Sequence, residues 1–232
     1  MKYSKIISGE FKSRLNRFIA KVIINGIEET VHVKNTGRCK ELLIEGCKVY
    51  LYESDNKERK TKYDLIAVEK VKETGEEILI NMDSQAPNDV AYEWLKTEFF
   101  KKGTTIRREV KFGDSRFDLY AENEEEKAFI EVKGVTLEKD GVALFPDAPT
   151  LRGVKHINEL IKAKECGFSA YILFVVQMKG VHTFLPNAET HPEFAKVLKN
   201  AYDKGVNILV YDCIVTPDSL KIDSEIKKII FY

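Results

Sequence analysis

The chain has 232 residues, with 37 Lys/Arg against 37 Asp/Glu and 44% hydrophobic residues. This balance excludes collagen, coiled coil and bulk disorder, and the length suits one large domain or two small ones. The longest apolar run, 171–176, falls far short of the roughly 20 residues that span a bilayer, and residues 1–14 hold no apolar leader segment. A cytoplasmic protein without a membrane partner is therefore expected. Cys39, Cys47, Cys166 and Cys213 form no C-x-x-C pair, and the four histidines form no ligand cluster, so the cysteines read as buried or half-buried thiols rather than zinc ligands.

Charge is uneven along the chain. Residues 1–62 carry 14 Lys/Arg against 8 Asp/Glu, a surplus of six that the remainder offsets. A basic module beside a more acidic one fits a protein that meets phosphate at one end and holds cations at the other, although ordinary surface variation accounts for it equally well. All six prolines lie after residue 86, and the element pattern changes there. Short β-like runs at 18–25, 28–34, 47–52, 63–71 and 77–81, separated by turn signals at Asn25-Gly26, Thr36-Gly37, 53–62 and 73–75, predict a five-stranded barrel over 1–84. From 85 to 232 helix and strand signals alternate, which predicts an α/β domain. Asn88 is the expected cap of a helix reaching about Lys101, followed by strands at 106–112, 116–121 and 128–136. A polar stretch at 138–149 leads to a helix capped by Thr150 and ending before Gly167. A buried strand at 170–177, a helix at 192–204 and a strand at 206–213 complete the pattern.

The apolar strand Ala128-Phe129-Ile130-Glu131-Val132-Lys133 contains two opposite charges. Ionic groups there are costly unless paired or bound to a metal, and the period of two puts Glu131 and Lys133 on one face. Asp118 lies between apolar residues one strand earlier, and Glu93 on the first helix offers a further acid. Two carboxylates and a lysine suit metal-dependent phosphodiester hydrolysis: a hard Mg²⁺ (or Mn²⁺) prefers carboxylate oxygen, and an ammonium orients the attacking water. The pattern acid-x-Lys occurs seven times, so by itself it is uninformative. The copy at Glu131 stands out through its apolar strand, its upstream Asp118 and its downstream helix. Glu109-Val110-Lys111 is its nearest competitor, and a cross-strand ion pair is the structural alternative.

The order Glu93 on a helix, Asp118 on a strand, then Glu131-x-Lys133 resembles a PD-(D/E)xK nuclease core. The whole chain resembles the sugar fermentation stimulation protein family, SfsA, through His32-Val33-Lys34-Asn35-Thr36-Gly37-Arg38, Pro87-Asn88, Ser115-Arg116-Phe117-Asp118, Glu131-Val132-Lys133, Phe145-Pro146-Asp147-Ala148-Pro149-Thr150, Arg152-Gly153, Lys155-His156 and Phe174-Val175-Val176-Gln177. The resemblance implies an N-terminal OB-like barrel, a C-terminal nuclease-like α/β domain with a central mixed sheet, and DNA binding without strong sequence preference. It also assigns Asp118 and Glu131 to metal binding, Lys133 to the lysine role and Glu93 to an auxiliary acid. Lys34 and Cys39 depart from the family's expected proline and methionine.

An OB barrel binds nucleic acid by pairing a basic groove with stacking rings. Arg14, Arg17, Phe18, Lys34, Asn35, Arg38 and Lys48 supply those residue types, with Arg38 the leading candidate after Gly37. Arg116 lies beside the acidic cluster, and Arg152 and Lys155 on the helix opened by Thr150 are candidates to receive a phosphate. His156 and Gln177 fit either a buried hydrogen-bonded role or water positioning, and Trp94 with Phe99 and Phe100 reads as core. The expected function is a DNA-binding protein with a Mg²⁺-dependent nuclease-like site. The alternative is a non-catalytic DNA-binding regulator, which the family resemblance links to sugar, particularly maltose, metabolism, and a sugar-metabolism enzyme or carbohydrate-binding module is a third reading. A monomer and a homodimer are both compatible with the sequence.

Overall fold

A computed structural model describes residues 1–35, 37–72 and 75–231. Thr36 of the expected 36–37 turn, and Glu73 and Thr74 of the 73–75 turn, lie outside the described residues. The N-terminal part holds six strands: β1 (Ile6–Arg14), β2 (Ile19–Ile24), β3 (Ile27–Val33), β4 (Lys48–Glu53), β5 (Tyr63–Val71) and β6 (Glu77–Asn81). They run β3-β2-β1-β4-β5-β6, and a further pairing of β3 with β5 closes the first five into a barrel. Alternation drives it: along β2 Ala20, Val22 and Ile24 are buried while the residues between them are half-exposed.

The barrel has the expected five strands but not the expected five. β1 has a weak pattern, with Phe11 its one fully buried residue, and no strand is predicted there. Gly9 occupies its middle because the backbone approaches β2: a Cβ there would lie 2.6 Å from Val22 Cγ1 and 2.9 Å from Ile23 O. The predicted run at 77–81 is instead β6, which extends β5 beyond the closed ring.

The second part builds a mixed sheet ordered β15-β14-β12-β9-β8-β7 from β7 (Thr105–Phe112), β8 (Ser115–Glu122), β9 (Lys127–Val135), β12 (Ser169–Val176), β14 (Asn207–Thr216) and β15 (Ser219–Glu225). β9, β12 and β14 are parallel, and the outer pairings are antiparallel. The stretch at 138–149, read as loop, holds β11 (Val142–Phe145) and the end of β10 (Leu137–Lys139), which form a small sheet with β13 (Thr183–Pro186). These strands and β15 are too short or too polar to carry a clear period-two signal.

Helix α1 (Ala86–Trp94) lies on one face of the large sheet, with Val90, Ala91 and Trp94 packed among Leu119, Ile130, Val132 and Leu173. It continues through a π-helical turn at Leu95–Phe99. Helix α2 (Leu151–Glu165) covers the other face, with Ile157 and Leu160 among Phe129, Ile172 and Phe174, and α3 (Pro192–Asp203) packs beside it. Asn88 is not the cap of α1: with Pro87 in the first turn the helix starts at Ala86, and Asn88 is already inside it. Thr150 caps α2 as expected, its side chain accepting from the Gly153 amide at 3.0 Å. Trp94 and Phe100 are buried. Cys39 and Cys213 are buried and Cys47 half-buried, but Cys166 is exposed beyond the end of α2. Among the described residues no helix is long and apolar enough to cross a membrane.

Candidate nuclease-like site

The sheet centre gathers the predicted charges between α1 and α2. Continuing the β8–β9 register one step past Leu119 and Ile130 brings Asp118 opposite Glu131. The two side chains do not simply share a face. Asp118 sits in the seam between the strands, where its Oδ2 accepts from the Val132 amide at 2.8 Å and its Oδ1 accepts from Asn88 Nδ2 at 3.1 Å. Glu131 turns toward α2. Its Oε1 accepts from Lys133 Nζ and lies 2.5 Å from His156 Nδ1, while its Oε2 is buried and finds no hydrogen-bond partner among the described residues. His156 Nε2 accepts from Arg152 Nε at 3.4 Å, an arrangement that leaves the ring proton on Nδ1 and directs it at Glu131.

These environments push the two carboxyls apart. Burial raises Asp118 above the usual carboxylate range and the neighbouring Glu131 adds to this, against the pull of Lys133. Burial also acts to raise Glu131, but Lys133 and His156 together outweigh it and hold this carboxyl low. A pair of acids separated in this way is a recurring property of reactive sites.

Glu93 does not join this cluster. Its carboxylate is exposed and pairs with the Met1 amine at 2.6 Å, and that amine also donates to Leu220 O on β15. β15 lies four strands from β8, on the order of 19 Å at about 4.8 Å per strand. Helix periodicity explains the difference: Asn88 faces the β8 seam, and Glu93, five residues on, faces away. Asn88 and His156 are the site residues that the sequence left unassigned or ambiguous. Each lies in a family-like dipeptide, Pro87-Asn88 and Lys155-His156, which was the available signal.

The basic candidates divide by role. Arg17 and Arg38 are exposed on adjoining loops of the barrel. Arg14 clamps those loops: its guanidinium donates to the carbonyls of Asn16 (3.2 Å), Arg17 (2.6 Å), Asn35 (2.7 Å), Gly37 (2.8 Å) and Arg38 (2.6 Å). Lys34 and Asn35 are used inside the fold. Lys34 Nζ pairs with the buried Asp83 at 2.7 Å, while Asn35 accepts from Gly37 N at 2.7 Å and donates to Met82 O at 3.0 Å. Arg116 is exposed and pairs with Glu109 at 3.2 Å, so the competing Glu109-Val110-Lys111 copy supplies a strand-edge ion pair. Arg152 and Lys155 are exposed on the first turns of α2, Lys155 donating to Asp114 O at 3.0 Å.

A closed OB barrel followed by a mixed-sheet α/β domain, with an acid–lysine–histidine set at the sheet centre, defines a two-domain class of protein. Residues 13–80 match the model of the SfsA N-terminal OB domain, and residues 85–219 match that of the sugar fermentation stimulation protein RE domain. A sugar fermentation stimulation protein homolog of Desulfitobacterium hafniense (strain Y51) is 56% identical over 221 residues, 95% of each chain. One from Ruminiclostridium cellulolyticum is 53% identical over 228 residues, covering 98% of this chain and 99% of its own. The solved structure of Pyrococcus furiosus SfsA in complex with Ca²⁺ superposes with a TM-score of 0.84 at 28% identity, over 99% of this chain and 98% of that one. The chain belongs to the sugar fermentation stimulation protein family.

Proposed function

We propose that this protein binds DNA and hydrolyses its phosphodiester bonds at the Asp118–Glu131–Lys133 site without strong sequence preference. The observation that carries the reading is the buried, unpartnered Oε2 of Glu131 beside Asp118. A carboxylate oxygen kept dry and unpaired is costly, and a hard divalent ion relieves that cost. Asp118 and Glu131 are the residues that would hold Mg²⁺ or Mn²⁺, and the family member solved with Ca²⁺ takes a hard cation of the same oxygen-seeking kind. When bound, such an ion acidifies a water and polarises the phosphoryl oxygen.

This chain's residues then have distinct tasks. Asn88 and the Val132 amide hold the Asp118 carboxylate in place. His156 orients Glu131 from α2. Lys133 lies beside the same oxygen, where its ammonium offsets negative charge developing on the phosphate. Arg152 and Lys155 flank the site from α2, and Arg17 and Arg38 offer charge on the barrel, so the strand runs across both domains.

The test is cleavage of labelled single- and double-stranded DNA and RNA with Mg²⁺, Mn²⁺ or EDTA. Wild type is expected to cut DNA only with metal, and Glu131→Gln and Lys133→Ala to lower the rate at least 100-fold by removing charge stabilisation. One observation favours a second reading: the Arg14-clamped loops present Arg17 and Arg38 without any need for metal. Salt-sensitive binding with no product under any ion would make the protein a non-catalytic DNA-binding regulator.

A further inference from the structure

Where the barrel meets the α/β domain there is a cavity of about 300 Å³ that the catalytic reading does not use. Asn35, Gly37 and Ser84 line it from the barrel side, and Gly134, Phe145 and Asp147 from the other. Gly134 directly follows Lys133, so the cavity begins one residue from the acid–lysine set.

Two of its polar side chains, Gln177 and Asp147, bring acceptor oxygens, beside the hydroxyls of Ser84, Thr136 and Thr150. Gln177, also in the lining, donates Nε2 to Asn81 Oδ1 at 3.0 Å and to Asp83 O at 3.1 Å, which turns Oε1 toward Gly134. A Cβ on Gly134 would come within 2.5 Å of that oxygen. Asp147 is solvent-exposed as a residue and lines the cavity; partial burial pushes its carboxyl above the usual carboxylate range, against the pull of the Asp147 and Ala148 amides. Among the described residues no Lys, Arg or His forms an ion pair with it. The Asp147 Oδ2 lies 2.6 Å from where a Cβ of Gly37 would be, so a side chain at either glycine would crowd the acceptor beside it. Phe145 and Pro149 supply flat apolar walls.

This combination selects a ligand class. A lone metal ion needs several hard oxygens in a small shell and has no use for aromatic and proline walls. A flat heterocycle with N–H groups along one edge needs apolar faces and a few acceptors, in a space at the lower end of small-ligand pockets. We propose that this cavity is a nucleobase pocket that takes a base carrying an exocyclic amino group, with Asp147 and Gln177 accepting from its edge. The inference rests on the nucleic-acid reading of the neighbouring site and deepens it: the strand whose phosphate lies at Lys133 turns one base into the junction between the domains.

The test uses the full chain and two probes. Calorimetry with guanosine, adenosine, cytidine and thymidine monophosphates is expected to show one or more of the amino-bearing three binding about tenfold tighter than thymidine monophosphate, the scale of one buried polar pairing. Asp147→Asn, checked by thermal melting, is expected to remove that difference. Labelled oligonucleotides of matched length and differing base composition, titrated with salt, form the second arm. Equal or absent monophosphate binding in wild type overturns the pocket. So does discrimination that survives in a folded Asp147→Asn, or binding of Mg²⁺ at the cavity with no monophosphate. Salt-dependent oligonucleotide binding with no composition preference overturns the pocket and leaves the nucleic-acid reading standing. No oligonucleotide binding at any salt removes both.

Discussion

Arg14 shows how one residue type serves opposite ends. By sequence it belongs with Arg17 and Arg38 as a surface cation, yet its guanidinium is spent on five backbone carbonyls and presents its neighbours instead. Arg14→Ala strands those carbonyls, and a loss of about 2 kcal/mol is expected in urea denaturation; the proposed function adds weaker DNA binding as a second expected outcome. Asp64 carries the residue-scale pH dependence. Burial pushes its carboxyl up, but bonds from Arg59 at 2.9 Å and His32 at 2.9 Å outweigh this and hold it below the usual range. A carboxyl lowered on folding contributes stability that is complete above its unfolded value, about 4, and is lost as pH falls through the folded value. Asp64→Asn is therefore expected to flatten the acid side of the stability curve below about pH 4, read by denaturation at a series of pH values.

At the scale of elements, legibility followed hydrophobic period. β5 and β6 occupy the ranges read from short β-like runs between turn signals, and α2 begins at the cap that its Thr150 signalled. β1 was invisible because its glycine and polar residues answer to close approach and to a register irregularity between Phe11 and Ser13, not to burial. Gly9→Ala forces a Cβ against Val22 and the Ile23 carbonyl, and a loss of about 1–3 kcal/mol is expected from chemical denaturation. The same change in an open strand costs nothing of the kind. Helix α1 carries the matching lesson for the site: its phase, which the sequence left free, points Asn88 rather than Glu93 at Asp118.

Across the whole molecule the two domains do not stand apart. One hydrophobic core runs from Phe11 and Val22 of the barrel to Phe129 and Phe174 of the sheet. The chain start also crosses over: Lys2 bridges to Ser219, and Tyr3 donates its amide to Asp218 O at 2.7 Å. Polar groups seal the junction. Tyr3, Asn81, Asp83 and Gln177 form one buried network, and Lys70 of β5 pairs at 2.5 Å with Glu138 of β10, which is 3% exposed. Burial acts to raise Glu138, but Lys70 and the Gly141 amide more than offset it, so the acid is held ionised. Lys70→Met leaves that charge buried alone, and a loss of about 3 kcal/mol in one cooperative transition is expected by calorimetry. Lys70→Met with Glu138→Gln should recover much of it.

The sequence by itself determined the succession of a barrel and an α/β domain, the cap of α2 and the rank of Glu131 above six other acid-x-Lys copies. Each is written in local pattern: alternation, a capping side chain, charge inside an apolar strand. Tertiary structure decided which strands close the barrel, that Asn88 and His156 attend the two acids while Glu93 leaves them, and that Lys34 and Asn35 are spent inside the junction. Those outcomes depend on helix phase and on contacts between residues far apart in the chain, where the free energy of a buried polar group is set by partners that no local window contains.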